Sequence, residues 1–75
     1  MASVQTMAAK ARRHWATDLP EKTRQLKAEG KFETESLAAA RLAMAEIETL
    51  RQRGFQDHEA EEVALSMFIL LKPEE

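Results

Sequence analysis

The chain has 75 residues, of which 44% are hydrophobic and 32% are charged, and its formal net charge is -2. A chain of this length forms one domain and buries only about 60% of the surface that its unfolded state exposes. Because it contains no cysteine, neither a disulfide nor a thiolate metal site can strengthen so small a core. We therefore expect a single helical domain over residues 1–75 that gains stability from oligomerisation or from a protein partner.

The sequence also excludes the usual targeting and membrane patterns. Lys10, Arg12 and Arg13 follow the first apolar residues and no hydrophobic stretch succeeds them, which is unlike a signal peptide. The longest apolar run, Met67 to Leu71, is far shorter than the roughly 20 residues of a membrane-spanning helix. Together with the lack of cysteine, these features predict a cytoplasmic protein without a membrane partner.

The first two predicted helices are short. Helix one covers about residues 4–16, where Val4, Ala8, Ala11 and Trp15 form one apolar stripe. Trp15 is expected in the core, because its large side chain is the main apolar area that this helix can bury.

The second helix is predicted over about residues 19–29. Asp18 and Glu21 have the spacing of a capping box, and Pro20 falls in the first turn, where its missing N–H is no loss. Gly30 follows the last turn and ends the helix.

The third helix, over about residues 34–53, is the central element, because its start, periodicity and stop signals agree. Thr34 is its predicted N-cap, with Ser36 as an alternative start, and Gly54 is its left-handed C-terminal residue. Its core face is predicted to contain Leu37, Ala40, Ala43, Met44, Ile47 and Leu50.

A second strip on the same helix faces nearly the opposite way. It contains Leu42 beside the small residues Ala38, Ala45 and Thr49. Such a strip allows another helix to approach closely. This helix can be the first helix of the chain, a helix of a second subunit or a helix of a different protein.

The fourth helix is predicted over about residues 57–71, after a weak capping box of Gln56 and Glu59, and Pro73 ends it. Residues 1–3 and 73–75 are expected to fray. A strand over residues 65–71 is the alternative, which is disfavoured because no second strand is available to pair with it. The predicted core stripe of this helix contains Val63, Ala64, Met67, Leu70 and Leu71.

Leu65, Phe68 and Ile69 point away from that stripe, so the fourth helix is apolar nearly all round. A core of three short helices is too small to cover all of them, which predicts a dimer or partner surface. The residues predicted for protein binding are Leu65, Phe68, Ile69, Leu42, Glu59 and Glu62.

Charge is distributed unevenly and leaves a second function open. Up to Lys31, seven Lys and Arg residues stand against three acids, whereas four stand against ten acids from Phe32 onward. The basic half and Trp15 can bind phosphates and stack on a base, although two halves of opposite sign can also pack on each other. The residues predicted for this alternative, a nucleic-acid-binding accessory protein, are Lys10, Arg12, Arg13, Arg24 and Lys27.

No motif predicts an enzyme. His58, Glu59 and Glu62 are spaced like a metal-binding His-Glu-x-x-His helix, but the second histidine is missing. The serines lack the setting of a nucleophile, and there is no glycine-rich phosphate loop. We therefore expect no catalytic residue, no cofactor, no metal and no small-molecule substrate.

The turn at residues 53–56 resembles the turn of a helix-turn-helix module, but no basic recognition helix follows it. The sequence is more typical of a small acidic protein-interaction or regulatory module that forms a dimer. By analogy of size and charge, an antitoxin-like regulator or an inhibitor encoded by a phage or plasmid fits this description.

Overall fold

The computed structural model describes residues 3–74 and contains, within this range, four α-helices and no strand. The longest helix packs against every other helix, so the predicted all-α fold with a central third helix is confirmed. The helices are α1 (Val4–Asp18), α2 (Pro20–Ala28), α3 (Phe32–Gln52) and α4 (Asp57–Ala64), and α4 continues directly into a π-helical turn, the π segment (Leu65–Ile69).

The first turn of α1 is capped by a side chain. Ser3 Oγ accepts a hydrogen bond of 3.1 Å from the backbone N–H of Thr6, which satisfies one of the free donors of that turn. The fraying expected of residue 3 stays a prediction. The predicted fraying of Met1, Ala2 and Glu75 lies outside the described residues.

The start of α2 differs from the capping box that was predicted. Asp18 is still the last residue of α1, and the buried residue Leu19 is the N-cap of α2 and has no capping side chain. The Asp18 carboxylate lies 3.5 Å from Nε2 of His14 instead. The box fails because the buried residue Leu19 occupies the N-cap position, so Asp18 lies one residue too early to cap α2.

Helix α3 begins two residues before the predicted start. Lys31 is its N-cap and Thr34 lies within its first turn, so the prediction of Thr34 as the cap is wrong. Gly30 has a φ of 70° and directly follows Glu29, the C-cap of α2, so that Glu29, Gly30 and Lys31 join the two helices. Phe32 can start α3 because its half-buried side chain packs against the core.

The end of α3 agrees with the predicted glycine turn. Gly54 has a φ of 99°, a conformation in which a glycine carries no steric penalty. The Phe55 N–H bonds to the carbonyl of Leu50 at 3.0 Å, and the Gly54 N–H bonds to that of Arg51 at 3.0 Å. These two bonds form a Schellman motif.

The core lies between α1 and α3 and is made largely of small side chains. Ala8 and Ala11 of α1 and Ala40 and Ala43 of α3 are completely buried, which lets the two helices approach closely. Trp15 is only 3% exposed, so its predicted place in the core is confirmed. The other predicted residues of the α3 core face are buried (Leu50) or half-buried (Leu37, Met44 and Ile47).

The fourth helix does not continue as an α-helix to residue 71. It widens after Ala64, and the N–H of Leu70 bonds to the carbonyl of Leu65 at 2.7 Å, five residues earlier. The carbonyl of Ile69 accepts a buried hydrogen bond of 2.8 Å from Trp15 Nε1. This hydrogen bond attaches the π segment to the buried indole of Trp15.

The molecule is more open than a compact domain of its length. Its Cα radius of gyration is 12.7 Å, whereas about 11 Å is typical of 75 residues. Its accessible surface is 5164 Å², against about 4,700 Å² for a monomer of this size. In residues 3–74, no helix combines the length and the apolar character that crossing a membrane requires.

Candidate interaction surface

A shallow groove of about 250 Å³ runs between α3 and the π segment. Its floor and walls are mainly apolar, and two charged side chains of opposite sign, Lys22 and Glu35, lie along it. The residues that line it are Trp15, Lys22, Glu35, Ala38, Ala39, Leu42, Met67, Phe68 and Leu71.

The groove brings together two of the residues predicted for protein binding, Leu42 and Phe68. Leu42 is 56% exposed, and the neighbouring Met67 is 50% exposed. Phe68 is half-buried and packs partly against the core. Two large apolar side chains that share one concave surface form the kind of patch that marks interaction sites.

Ile69 corrects the prediction for this surface. It was expected to be exposed, but it is completely buried, so it cannot contact a partner. The exposed positions are Met67 and Leu70, which were expected in the core. The π segment explains the exchange, because its wider turn rotates the following side chains away from the directions of an α-helix.

The other residues predicted for protein binding lie elsewhere. Leu65 is half-buried and lines a second groove of about 440 Å³ with Leu70 and His14. Glu62 lies beside Leu65 in a third concavity, together with His58. Glu59 is exposed in the first turn of α4, where its carboxylate accepts a hydrogen bond of 3.3 Å from the Gln56 N–H.

The strip on α3 continues the groove along the helix. Ala38, Leu42, Ala45 and Thr49 are all exposed, as their spacing predicted. We call the combined surface of this strip, Met67 and Phe68 the interaction face. It joins a row of small side chains, which permit close approach, to a cluster of large apolar side chains.

The five basic residues of the alternative function lie on α1 and α2. Lys10 and Arg13 line the second groove, and Lys10 Nζ is 3.9 Å from the Glu61 carboxylate. Arg12 Nη1 donates to Ser36 Oγ at 3.2 Å, on the side of α1 that faces α3.

The two basic residues of α2 also have intramolecular contacts. Arg24 pairs with Glu21, and Lys27 Nζ lies 5.2 Å from the centre of the Phe32 ring. Trp15, which was considered as a stacking platform for a base, is buried. The nucleic-acid-binding alternative stays a prediction.

Within residues 3–74, no group of three or more His, Asp or Glu side chains is placed to hold a metal ion. His14 and His58, the two histidines, line different concavities. His14 Nε2 is already bonded to the carbonyl of Leu71 at 2.8 Å.

Comparison of the chain with known protein families, with curated proteins and with solved structures found no match. The surface chemistry of the fold itself is therefore the basis for a functional proposal.

Proposed function

We propose that the protein is a small helical interaction module of regulatory type that self-associates through the interaction face. The observation that carries this proposal is the groove that Leu42 and Met67, both at least half exposed, help to line. Exposed apolar side chains that share a concave surface gain free energy when a partner removes them from water.

A second copy of the chain fits this face better than an unrelated partner, because the face is self-complementary. Helix α3 runs from Phe32 to Gln52, so Leu42 is its middle residue. Two antiparallel α3 helices that cross at Leu42 would overlap along their whole length, as an isologous twofold interface requires.

The charges along the strip agree with this arrangement. Glu35 lies one turn before Ala38, and Arg53 lies one turn after Thr49, and both are exposed. In an antiparallel pair, the acidic start of one α3 lies beside the basic end of the other. Opposite charges and opposed helix dipoles then favour the twofold arrangement over a parallel one.

The chain also exposes more surface than a compact monomer of its length. The accessible surface of this chain is 5164 Å², which exceeds the roughly 4,700 Å² of a compact monomer of this length. The excess supports the view that part of this surface is covered in the assembled state.

Sedimentation equilibrium of the wild type and of the Leu42→Glu variant tests the proposal. We expect a reversible dimer for the wild type in the micromolar range. The variant places two carboxylates at the twofold axis and should weaken association at least thirtyfold, which corresponds to about 2 kcal/mol. Leu42 is exposed in the monomer, so the variant should keep the helical content of the wild type.

The matched control is Leu70→Glu. Leu70 is 45% exposed and lines the second groove, outside the interaction face. The dimer dissociation constant of this variant should stay within about twofold of the wild-type value, as is usual for surface substitutions away from an interface. Two equally weakened variants, or a wild type that remains monomeric, would contradict the proposal.

A further inference from the structure

The residues after the π segment form an extended strap (Leu70–Glu74) that crosses the junction of α1 and α2. Its first anchor is the carbonyl of Leu71, which accepts a hydrogen bond of 2.8 Å from His14 Nε2. Its second anchor is Glu74, whose N–H donates to the carbonyl of Asp18 at 2.9 Å. The fraying expected of residues 73 and 74 stays a prediction.

The Glu74 side chain supplies the missing cap of α2. One carboxylate oxygen accepts from the N–H of Glu21 at 3.0 Å, and the other accepts from the N–H of Lys22 at 2.9 Å. Amides of the first helical turn have no acceptor within their own helix. Neither Leu19, the N-cap, nor Pro20, which lacks an N–H, can supply or replace this contact.

The carboxylate is also favourably placed for its charge. A negative group at a helix N-terminus interacts with the positive end of the helix dipole. Glu74 thus combines two charge-assisted hydrogen bonds with this interaction. A cap that other helices obtain from a neighbouring side chain is obtained here from a residue more than 50 positions away.

Contacts at both ends of the strap involve residues of the groove. At one end, Trp15 Nε1 donates to the carbonyl of Ile69, directly after Met67 and Phe68. At the other end, Glu74 holds the backbone of Lys22. Trp15, Lys22 and Leu71 of the strap are themselves part of the groove lining. The strap therefore contributes one wall residue, Leu71, to the groove.

We propose that the contact between Glu74 and the start of α2 is a latch that controls self-association, an inference that rests on the proposed function above. When the latch is closed, Leu71 and the π segment hold the groove in a form that a second copy can bind without further ordering. When Glu74 is released, these residues must be ordered again on binding, and the affinity falls. A competing carboxylate or a basic partner that binds Glu74 would open the latch.

The Glu74→Ala variant tests this inference by two independent measurements. The first is hydrogen exchange at the amides of Glu21 and Lys22, for which Glu74 provides the acceptor. Loss of a helix cap should accelerate their exchange about fivefold. The second is sedimentation equilibrium, in which we expect the dimer to be about tenfold weaker.

The direction of the second effect distinguishes the latch from general electrostatics. The chain carries a net charge of -2, so removing one carboxylate lowers the repulsion between copies and alone would strengthen the dimer slightly. The control variant is Lys72→Ala, which alters an exposed side chain of the same strap and leaves the Glu74 contacts in place. It should match the wild type in exchange at Glu21 and Lys22.

Faster exchange together with a weaker dimer supports the latch. Faster exchange with an unchanged dimer dissociation constant would show that the Glu74 contact does not control self-association. This result would leave the proposed function intact. Unprotected amides at Glu21 and Lys22 in the wild type overturn the latch itself. A wild type that never dimerises contradicts the proposed function, and the latch then has no association to control.

Discussion

The α1–α3 interface and the attachment of the π segment and strap are stabilised by different kinds of contact. Between α1 and α3, completely buried alanines such as Ala8 and Ala43 allow close packing, to which the Arg12–Ser36 hydrogen bond is added. The π segment and strap are held by hydrogen bonds from Trp15 and His14 to backbone carbonyls, and by the Glu74 cap.

This difference separates a rigid part of the molecule from an adjustable one. Packing among small side chains depends on volume along the whole helix and changes only when the helices separate. A hydrogen bond from one side chain to one carbonyl depends on two atoms and can be lost alone. We therefore expect α1 and α3 to unfold together, whereas the strap can detach locally.

The largest expected effect on the rigid part comes from overpacking. Ala8 is completely buried, whereas its neighbour Ala9 is exposed. Ala8→Leu should lower the free energy of unfolding by about 1–3 kcal/mol, because the close approach to α3 leaves no room for the larger side chain. Urea denaturation followed by helical circular dichroism measures this change.

Ala9→Leu is the matched control, since it adds the same atoms to the same turn of α1 on the solvent side. It should change the free energy of unfolding by less than about 0.5 kcal/mol. Equal effects at Ala8 and Ala9 would show that α1 does not pack on α3 through its alanine stripe.

A smaller and more local effect is expected at the attachment of the π segment. Trp15→Phe removes the N–H donor and leaves the buried carbonyl of Ile69 without this partner, at a cost of about 1–2 kcal/mol. Hydrogen exchange should increase mainly in the π segment and strap. If the amides of α3 gained exchange to the same extent, the proposed division into a rigid and an adjustable part would be wrong.

The same division explains which features were predictable from the sequence. The α1 stripe, the α3 core face and the turn at Gly54 follow local rules, because helical periodicity and a left-handed glycine need no information from distant residues. The same periodicity also predicts the exposed strip around Leu42, because this strip lies on the face of α3 opposite to its core face. These features are confirmed by the structure.

The features that sequence reasoning missed depend on distant atoms. The turn that widens after Ala64 exchanged the expected positions of Ile69 and Met67, so Met67 was not recognised as part of the groove. The Glu74 cap joins residues that are 53 positions apart. The one available signal was negative: the residue before Pro20 is Leu19, which cannot cap a helix.

In the proposed dimer, two copies meet at an axis near Leu42, and a single cysteine introduced at this position reports on their contact. The chain has no cysteine, so Leu42→Cys introduces the only thiol. Under mild oxidation, we expect this variant to form a disulfide-linked dimer rapidly, because a twofold axis brings equivalent residues close enough to bridge. Leu70→Cys, on the second groove, is the control and should crosslink only by slow random collision. Equal crosslinking of the two variants, or no crosslinking at residue 42, would contradict the proposed twofold dimer.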